Sequence, residues 1–285
     1  MVKPQNNWRM IVFKQRLITA CIAIPVVWFI IFKLHSVSFS VVAMLFMLLA
    51  ANEWAVLVGK TSWVFKVLLF LSILSTVFLA AAFMWVACTV LLVSVVVWCW
   101  LAVAVLSYNK GSSPCGVDSY VLRTFMGWIV LTAGWLSLTV MKVHPTEGPI
   151  WLLYVCLLAW VVDSGAYFAG KLLGASPLAP RVSPKKTWEG FFGGMLSACI
   201  LIVAANFFLP GISNHRLIFI GLSLFAAVAS VFGDLSISLM KRIVGVKDTG
   251  SLFPGHGGVL DRIDSLLPVF LIFACSAVFF NLWGS

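Results

Sequence analysis

The chain has 285 residues, of which 62% are hydrophobic and only 10% are charged. Soluble domains carry about 25% charged residues, so the composition excludes an ordinary soluble domain and predicts an integral membrane protein. The net charge of +10 is typical of a membrane protein with basic loops beside anionic lipids, and nucleic acid is not expected as a partner. The seven cysteines form no CxxC pair, which predicts small buried hydrophobes rather than metal ligands.

Nine apolar segments are about long enough to cross a bilayer, which requires about 20 residues each. The second segment is the weakest because it contains Glu53, and the third and fourth form one continuous apolar run. We therefore predict an all-α, polytopic integral membrane protein with about nine transmembrane helices. The predicted spans are residues 17–34, 38–58, 64–81, 83–106, 122–141, 149–170, 190–209, 216–240 and 266–283.

The positive charges are distributed unevenly between the two sides that nine spans define. Of the 19 lysines and arginines, 16 lie on the side of the N-terminus, and only Lys33, Lys142 and Arg216 lie on the other. Cytoplasmic loops are enriched in these residues, so we expect a cytoplasmic N-terminus. The polar loops 171–189 and 241–265 would then line an active-site cavity that faces the cytoplasm.

The carboxylates are concentrated in the second half of the chain, where six of the nine aspartates and glutamates lie. This distribution predicts an N-terminal transmembrane scaffold over residues 1–147. Residues 148–285 would form a C-terminal transmembrane catalytic region, because its last four spans carry both large polar loops.

Asp234 is the first candidate site residue, near the end of the eighth span. On a helix it shares one face with Ser230, Ser238 and Lys241. A carboxylate so close to hydrocarbon usually pairs with a cation or a metal ion. The alternative is a simple ion pair at the helix end, with Lys241 or Arg242.

Asp261 and Asp264 follow a glycine-rich turn and precede the ninth span. A helix that begins near Val259 would carry both acids in its first turn, where backbone N–H groups attract phosphate. Carboxylates at such a place suggest a bridging divalent cation, and Mg²⁺ binds to one or two carboxylates plus phosphate oxygens. The alternative is that both acids only cap the helix.

Cations interleave with these acids and could neutralise phosphate: Lys241, Arg242, Lys247 and Arg262. The simpler interpretation is that they reflect membrane topology alone. His256 lies between two glycines, and it could bind metal, act as a base, contact phosphate, or have no direct role.

The loop APRVSPKKTWEGFFGG, residues 179–194, is the second candidate segment. Lys185 and Lys186 supply charge, Thr187 can cap the helix that follows, and the glycines after it (Gly190, Gly193 and Gly194) permit close helix packing or kinking. The alternative is a basic interfacial loop. Asp163, an acid within the sixth span, could pair with Lys171 or help to complete the polar cavity.

Three segments resemble the phosphatidate cytidylyltransferases, also called CDP-diacylglycerol synthases. They are DSGAYFAG (163–170), SPKKTWEG (183–190) and SLMKRIVGVKDTGSLFPGHGGVLDRID (238–264). Nine spans also agree with the fold of this family. One departure is Ile237, at a position where the family often carries Glu.

The resemblance implies that the phosphate of phosphatidic acid attacks the α-phosphorus of CTP and releases pyrophosphate. It implies that Asp234 and Asp261 hold Mg²⁺, while Asp264 and Asp248 support it or hold a second cation, which could be monovalent. The predicted catalytic residues are Asp234, Asp261, Lys241 and Asp248, and the predicted metal ligands are Asp234, Asp261 and Asp264. The predicted substrate-binding residues are Ser183, Lys185, Lys186, Ser238, Arg242, Lys247, His256, Gly257, Gly258 and Arg262.

The expected partners are CTP, phosphatidic acid and membrane lipids, and the resemblance also suggests a homodimer. The expected location is a bacterial inner membrane, which the chain crosses several times. Two other function classes stay open at this point. One is an ion-coupled transporter that uses Asp163 and Asp234, and the other is a non-catalytic protein that binds anionic lipid.

Overall fold

The computed structural model describes residues 24–143, 147–209, 215–252 and 257–280. Within these ranges the chain is almost entirely helical, with one short two-stranded ribbon between two of the helices. The elements are α1 (Ile24–Lys33), α2 (Ser36–Val58), α3 (Trp63–Ala82), α4 (Met84–Asn109), α5 (Tyr120–Val143), α6 (Gly148–Leu173), β1 (Pro177–Ala179), β2 (Ser183–Thr187), α7 (Trp188–Phe208), α8 (Arg216–Val244), α9 (Leu260–Ile263) and α10 (Leu266–Phe280).

The predicted all-α membrane fold is confirmed. Among the described residues, the seven helices α2 to α8 are long and apolar enough to cross a bilayer, and they match the second to eighth predicted spans. The long apolar run divides at Phe83, between α3 and α4. The first and ninth predicted spans correspond to the shorter apolar helices α1 and α10, and both spans extend into residues outside the described ranges.

Local chemistry explains where several helices begin and end. Gly59 after α2 and Gly245 after α8 adopt the left-handed conformation, with φ of 78° and 77°. Glycine reaches this region without strain, and its N–H then bonds to the last carbonyls of the helix. The Ser62 side chain accepts a hydrogen bond from the Phe65 N–H at the start of α3. These caps stop the spans at the polar loops.

The helix α5 lies at the centre of the bundle and packs against α2, α4 and α10. Its buried Arg123 donates to the carbonyls of Val117 and Val58, each at 3.2 Å. The indole of Trp54 in α2 donates to the Arg123 carbonyl at 2.8 Å. Backbone acceptors therefore pair with both terminal nitrogens of this buried cation, while its Nε has no partner, and the two bonds join the ends of α2 and α5.

The helices α6 and α7 approach each other unusually closely, because glycines line their contact. A Cβ at Gly193 would overlap the Cβ of Ala169, and a Cβ at Gly194 would lie 2.8 Å from the Val162 carbonyl oxygen. Small residues at helix contacts allow backbones to approach in this way. The predicted close packing at these glycines is confirmed.

The loop between α6 and α7 is a short antiparallel ribbon rather than an irregular loop. Pro177 of β1 pairs with Thr187 of β2, and Ala179 pairs with Ser183. The carboxylate of Glu189 accepts hydrogen bonds from the Ser176 N–H at 3.1 and 3.2 Å. The Thr187 hydroxyl caps α7 by accepting from the Gly190 N–H at 3.2 Å, as predicted.

Candidate active site

The last turns of α8 carry the polar face that the helical spacing predicts. The Ser238 hydroxyl donates to Oδ1 of Asp234 at 3.2 Å. One turn further on, Lys241 lies close enough to Asp234 for their charges to attract. Ile237, at the position where the family often carries Glu, is fully buried in the apolar core. It therefore packs in the core and does not line the site.

Asp261 accepts hydrogen bonds on both of its carboxylate oxygens. Its Oδ1 pairs with Nζ of Lys241 at 2.8 Å. Its Oδ2 accepts from the Thr249 N–H at 3.0 Å, the Thr249 hydroxyl at 2.9 Å and the Gly258 N–H at 3.1 Å. Burial by itself would raise the pKa of Asp261, but the bonds from Lys241, Gly258 and Thr249 outweigh it and lower that pKa.

The ribbon brings a second lysine to the site. Nζ of Lys186 forms an ion pair with Oδ2 of Asp234 at 2.6 Å. The ribbon is fastened to α8, because Nε of Arg242 donates to the Val182 carbonyl at 3.1 Å. Asp234 of α8 therefore pairs with a lysine of the ribbon between α6 and α7. The polar segments after α6 and after α8, both singled out in the sequence, meet at this place.

Asp264 lies beside Asp234 because Gly233 lets the backbone come close. A Cβ at Gly233 would overlap the Asp264 carbonyl oxygen, so only glycine permits this junction between α8 and α9. Asp264 is buried, and Oδ1 accepts the Ser265 N–H at 2.8 Å. Burial, followed by the negative charge of Asp234, raises the pKa of Asp264 well above its usual range.

Asp163 of α6 also belongs to this cluster. Its Oδ2 accepts the Ser265 hydroxyl at 3.0 Å, and it interacts electrostatically with Lys186 and Asp234. Lys171, the other partner considered from the sequence, has its Nζ over the Tyr167 ring instead. Asp163 therefore completes the polar site rather than pairing along its own helix.

Glu53 is the site residue whose role sequence reasoning missed. It comes from α2, in the predicted scaffold, yet its carboxylate accepts the N–H groups of Val259 and Leu260 at 2.9 and 2.7 Å. An acid inside an apolar span is a functional candidate, and that was the available signal. The described structure thus draws one residue of the first half into the site.

The remaining predicted residues are placed as follows. Gly257 has φ of 80°, and Gly258 gives its N–H to Asp261 rather than leaving it for phosphate. Ser183 is half-buried at the start of β2. Four charged residues are exposed: Lys185, Lys247, Asp248 and Arg262. His256 lies outside the described residues.

The backbone N–H groups at the helix start near Val259 were expected to bind phosphate, but in the structure they donate to a side chain of the protein. The N–H groups of Val259 and Leu260 bond to Glu53. These donors are therefore occupied by a carboxylate of the chain itself. The positive charges closest to the acids are those of the Lys186 and Lys241 side chains.

The carboxylates of the site offer the hard oxygen donors that Mg²⁺ prefers. Asp234 and Asp264 are crowded enough to repel each other, and a bound cation would relieve this repulsion. Within the described ranges, however, no group of three or more Asp, Glu, His or Cys side chains is arranged as a preformed metal site. The residues fit a Mg²⁺ ion that is completed by phosphate oxygens.

Fold and site together define a polytopic membrane protein with paired lysines and aspartates at the end of α8. Comparison with known proteins then specifies the class. Residues 14–280 match the sequence model of the cytidylyltransferase family, and the chain belongs to this family. It is therefore an enzyme, a nucleotidyltransferase, as the three resembling segments predict.

The chain is similar to several bacterial phosphatidate cytidylyltransferases. It is 35% identical over 262 residues to that of Pseudomonas aeruginosa, and the alignment covers 92% of this chain and 95% of that protein. It is 43% identical over 173 residues to that of Haemophilus influenzae, which covers 57% and 59% of the two chains. It is 42% identical over 122 residues to that of Staphylococcus aureus strain COL, where coverage is 43% and 46%.

Proposed function

We propose that this enzyme transfers the cytidylyl group of CTP to phosphatidic acid. An oxygen of the lipid phosphate forms a bond to the α-phosphorus of CTP, the bond from that phosphorus to the β-phosphate oxygen breaks, and pyrophosphate leaves. The product is CDP-diacylglycerol, a precursor for phospholipid biosynthesis. The observation that carries the proposal is the pair of lysine–aspartate contacts, Lys186 with Asp234 and Lys241 with Asp261.

Family membership does not favour the two other function classes. An ion-coupled transporter and a non-catalytic lipid-binding protein would each need membrane acids, and the chain has them in Asp163 and Asp234. Neither class would need two lysines held against two aspartates beside a basic ribbon. That arrangement suits a reaction in which negative charge gathers on transferring phosphates.

Asp234, Asp261 and Asp264 would hold Mg²⁺, with Asp248 available to a second cation, which could be monovalent. The bound ion would neutralise the charge of the phosphates and polarise the α-phosphoryl group. Asp234 is held by Ser238 and Lys186, and Asp261 by Lys241 and Thr249. These contacts fix the direction of both carboxylates before any substrate arrives.

The lysines have a second role when substrate binds. Lys186 and Lys241 lie against carboxylates, and a phosphate with the cation of the site can take over part of these ion pairs. The exposed cations around them would contact the rest of the triphosphate: Lys185, Arg242, Lys247 and Arg262. The lipid phosphate is already an anion at neutral pH, so the reaction requires no strong general base.

The site would face the cytoplasm of a bacterial cell, from the inner membrane. The proposal rests on the placement of 16 of the 19 lysines and arginines on one side of the nine predicted spans. CTP would then arrive from the cytoplasm and the lipid from the side. The contact between α6 and α7 is too close to admit an acyl chain, so the lipid would pass along another face. A homodimer through the spans stays a prediction from the resemblance.

The experiment combines purified protein, labelled CTP, vesicles that contain phosphatidic acid, and Mg²⁺. We expect a lipid-soluble cytidine product together with one pyrophosphate for each product molecule. Removal of divalent cations with EDTA should abolish the product, and added Mg²⁺ should restore it. If a correctly folded preparation forms no cytidine lipid with Mg²⁺ present, the proposed transfer is wrong.

A further inference from the structure

Glu53 connects the first half of the chain to the loop that holds Asp261. Its side chain is buried in α2. Oε1 accepts the Val259 N–H at 2.9 Å, and Oε2 accepts the Leu260 N–H at 2.7 Å. A carboxylate that accepts from two consecutive amides holds them in one orientation, because each oxygen serves one donor. Glu53 therefore defines where α9 begins.

The loop is shaped to receive this carboxylate. A Cβ at Gly250 would lie 2.6 Å from Oε1 of Glu53, and a Cβ at Gly258 would overlap the same carboxylate. Gly250 and Gly258 are thus explained by the space that Glu53 occupies, since any side chain at either position would displace its carboxylate. The Glu53 side chain on α2 thus occupies space that the two glycines of the loop leave free.

Thr249 lies between Glu53 and Asp261 and touches both. Its hydroxyl lies 3.2 Å from Oε2 of Glu53 and 2.9 Å from Oδ2 of Asp261. A hydroxyl has a single hydrogen and can donate to one acceptor at a time. The Thr249 N–H also donates to Asp261. When the hydroxyl donates to Glu53, the N–H of Thr249 still donates to Asp261. Hydrogen bonds therefore connect Glu53 through Thr249 to Asp261, and Asp261 in turn to Lys241.

We propose that Glu53 is a positioning residue for cytidylyl transfer, which acts through Thr249 and the first amides of α9 to aim Asp261 at Lys241. This inference rests on the function proposed above. Glu53 would not touch the substrate, because the loop covers it. It would set the conformation in which Gly258 and Thr249 point their N–H groups at Oδ2 of Asp261.

The test compares two variants, Glu53→Gln and Thr249→Val, with the wild-type chain in detergent. Glutamine keeps the size of Glu53 but turns one oxygen into an NH₂ group, which would face a backbone donor. Valine keeps the shape of Thr249 and removes its hydroxyl. Partners that orient a ligating side chain typically contribute about 10- to 100-fold to activity. We expect each variant to lower kcat by such a factor, with little change in the KM for CTP.

A matched control separates positioning from general stability. Thr132 is buried in α5 and donates to the Trp128 carbonyl, far from the site in sequence and role. Thr132→Val removes a buried hydroxyl of the same kind and should leave kcat per folded molecule unchanged. Thr249→Ser keeps the hydroxyl and should recover most of the activity that Thr249→Val loses. The double variant of Glu53 and Thr249 should lose less than the product of the two single losses, because both act through Asp261.

Amide hydrogen exchange supplies a readout that needs no turnover. In Glu53→Gln, the amides of 257–261 should exchange faster, while those of α5 stay as in the wild type. Unchanged exchange at 257–261 would overturn the inference, and so would a loss of activity that only follows the folded fraction. An inactive wild-type chain would instead reject the proposed function, so the two failures are distinguishable.

Discussion

Lys186 and Asp234 form a 2.6 Å ion pair that joins the ribbon strand β2 to the transmembrane helix α8. Both side chains are mostly buried, with about a quarter to a third of each exposed. We expect the pair to act on the reaction, where Lys186 and Asp234 would face the same phosphates.

Replacement of Lys186 by Met should lower kcat/KM by about 100-fold, comparable with removal of one group that stabilises developing charge. The neighbouring variant Lys185→Met provides the comparison, because adjacent residues of a strand point to opposite faces. It should have a smaller effect. Initial rates of cytidine-lipid formation at several CTP concentrations measure both variants. Equal losses of kcat/KM in the two variants would contradict a specific role for the ion pair of Lys186 with Asp234.

Asp261→Asn should abolish the CTP-dependent product while the chain still folds. An amide in place of the carboxylate must turn its NH₂ either toward Lys241 or toward the N–H groups of Thr249 and Gly258. Each orientation sets a donor against a donor. We expect a fall in rate of about 100-fold or more. The assay is product formation, with circular dichroism as the control for folding, and near-normal turnover would reject the metal-binding role.

Thr187→Ala should destabilise the chain by about 1 kcal/mol, because α7 loses its N-terminal cap. The Thr187 hydroxyl accepts the Gly190 N–H, and the alanine side chain has no acceptor to replace it. Thr187→Ser retains a cap and should be close to the wild type. Equilibrium unfolding in detergent micelles compares the three chains. A Thr187→Ser variant as unstable as Thr187→Ala would show that the methyl group, not the cap, matters.

Gly193→Ala and Gly221→Ala form a matched pair for the contact between α6 and α7. An added Cβ at Gly193 would overlap Ala169, whereas a Cβ at Gly221 meets nothing within 4 Å. The first change should destabilise the chain by about 1–3 kcal/mol through overpacking. The second should be neutral or stabilise α8 by up to about 1 kcal/mol, since alanine is the better helix former. Thermal unfolding of the two variants measures the difference, and equal midpoints would contradict the close crossing.

The spans could be predicted because each depends on its own composition and on the thickness of a bilayer. The ribbon could not, because β1 and β2 contain Pro177 and Pro184 as well as lysines, which hydropathy and strand propensity both read as loop. Its strands are stabilised by pairing with each other and by the contact of Arg242 with Val182. The second of these contacts joins residues 60 positions apart, and such a contact leaves no periodic pattern in the sequence.

Within the site, the helical face of Asp234, Ser238 and Lys241 follows from spacing alone. Spacing does not choose between Lys185 and Lys186, and only the register of β2 turns Lys186 toward Asp234. The amides at the start of α9 look available to phosphate in the sequence. Their acceptor, Glu53, lies 206 positions from Val259, beyond any local rule.

The bond between Glu53 and α9 also has a consequence for biogenesis. Glu53 enters the membrane with α2. Its carboxylate can accept the N–H groups of Val259 and Leu260 only after these residues have been synthesised, 206 and 207 residues later. At about 5–20 residues per second, translation needs about 10 to 40 seconds for that interval. During this time Glu53 lies in the apolar helix α2, near hydrocarbon, without the two N–H donors of α9. A chain that stops before Val259 never gains these donors, so truncated products should be less stable than complete ones.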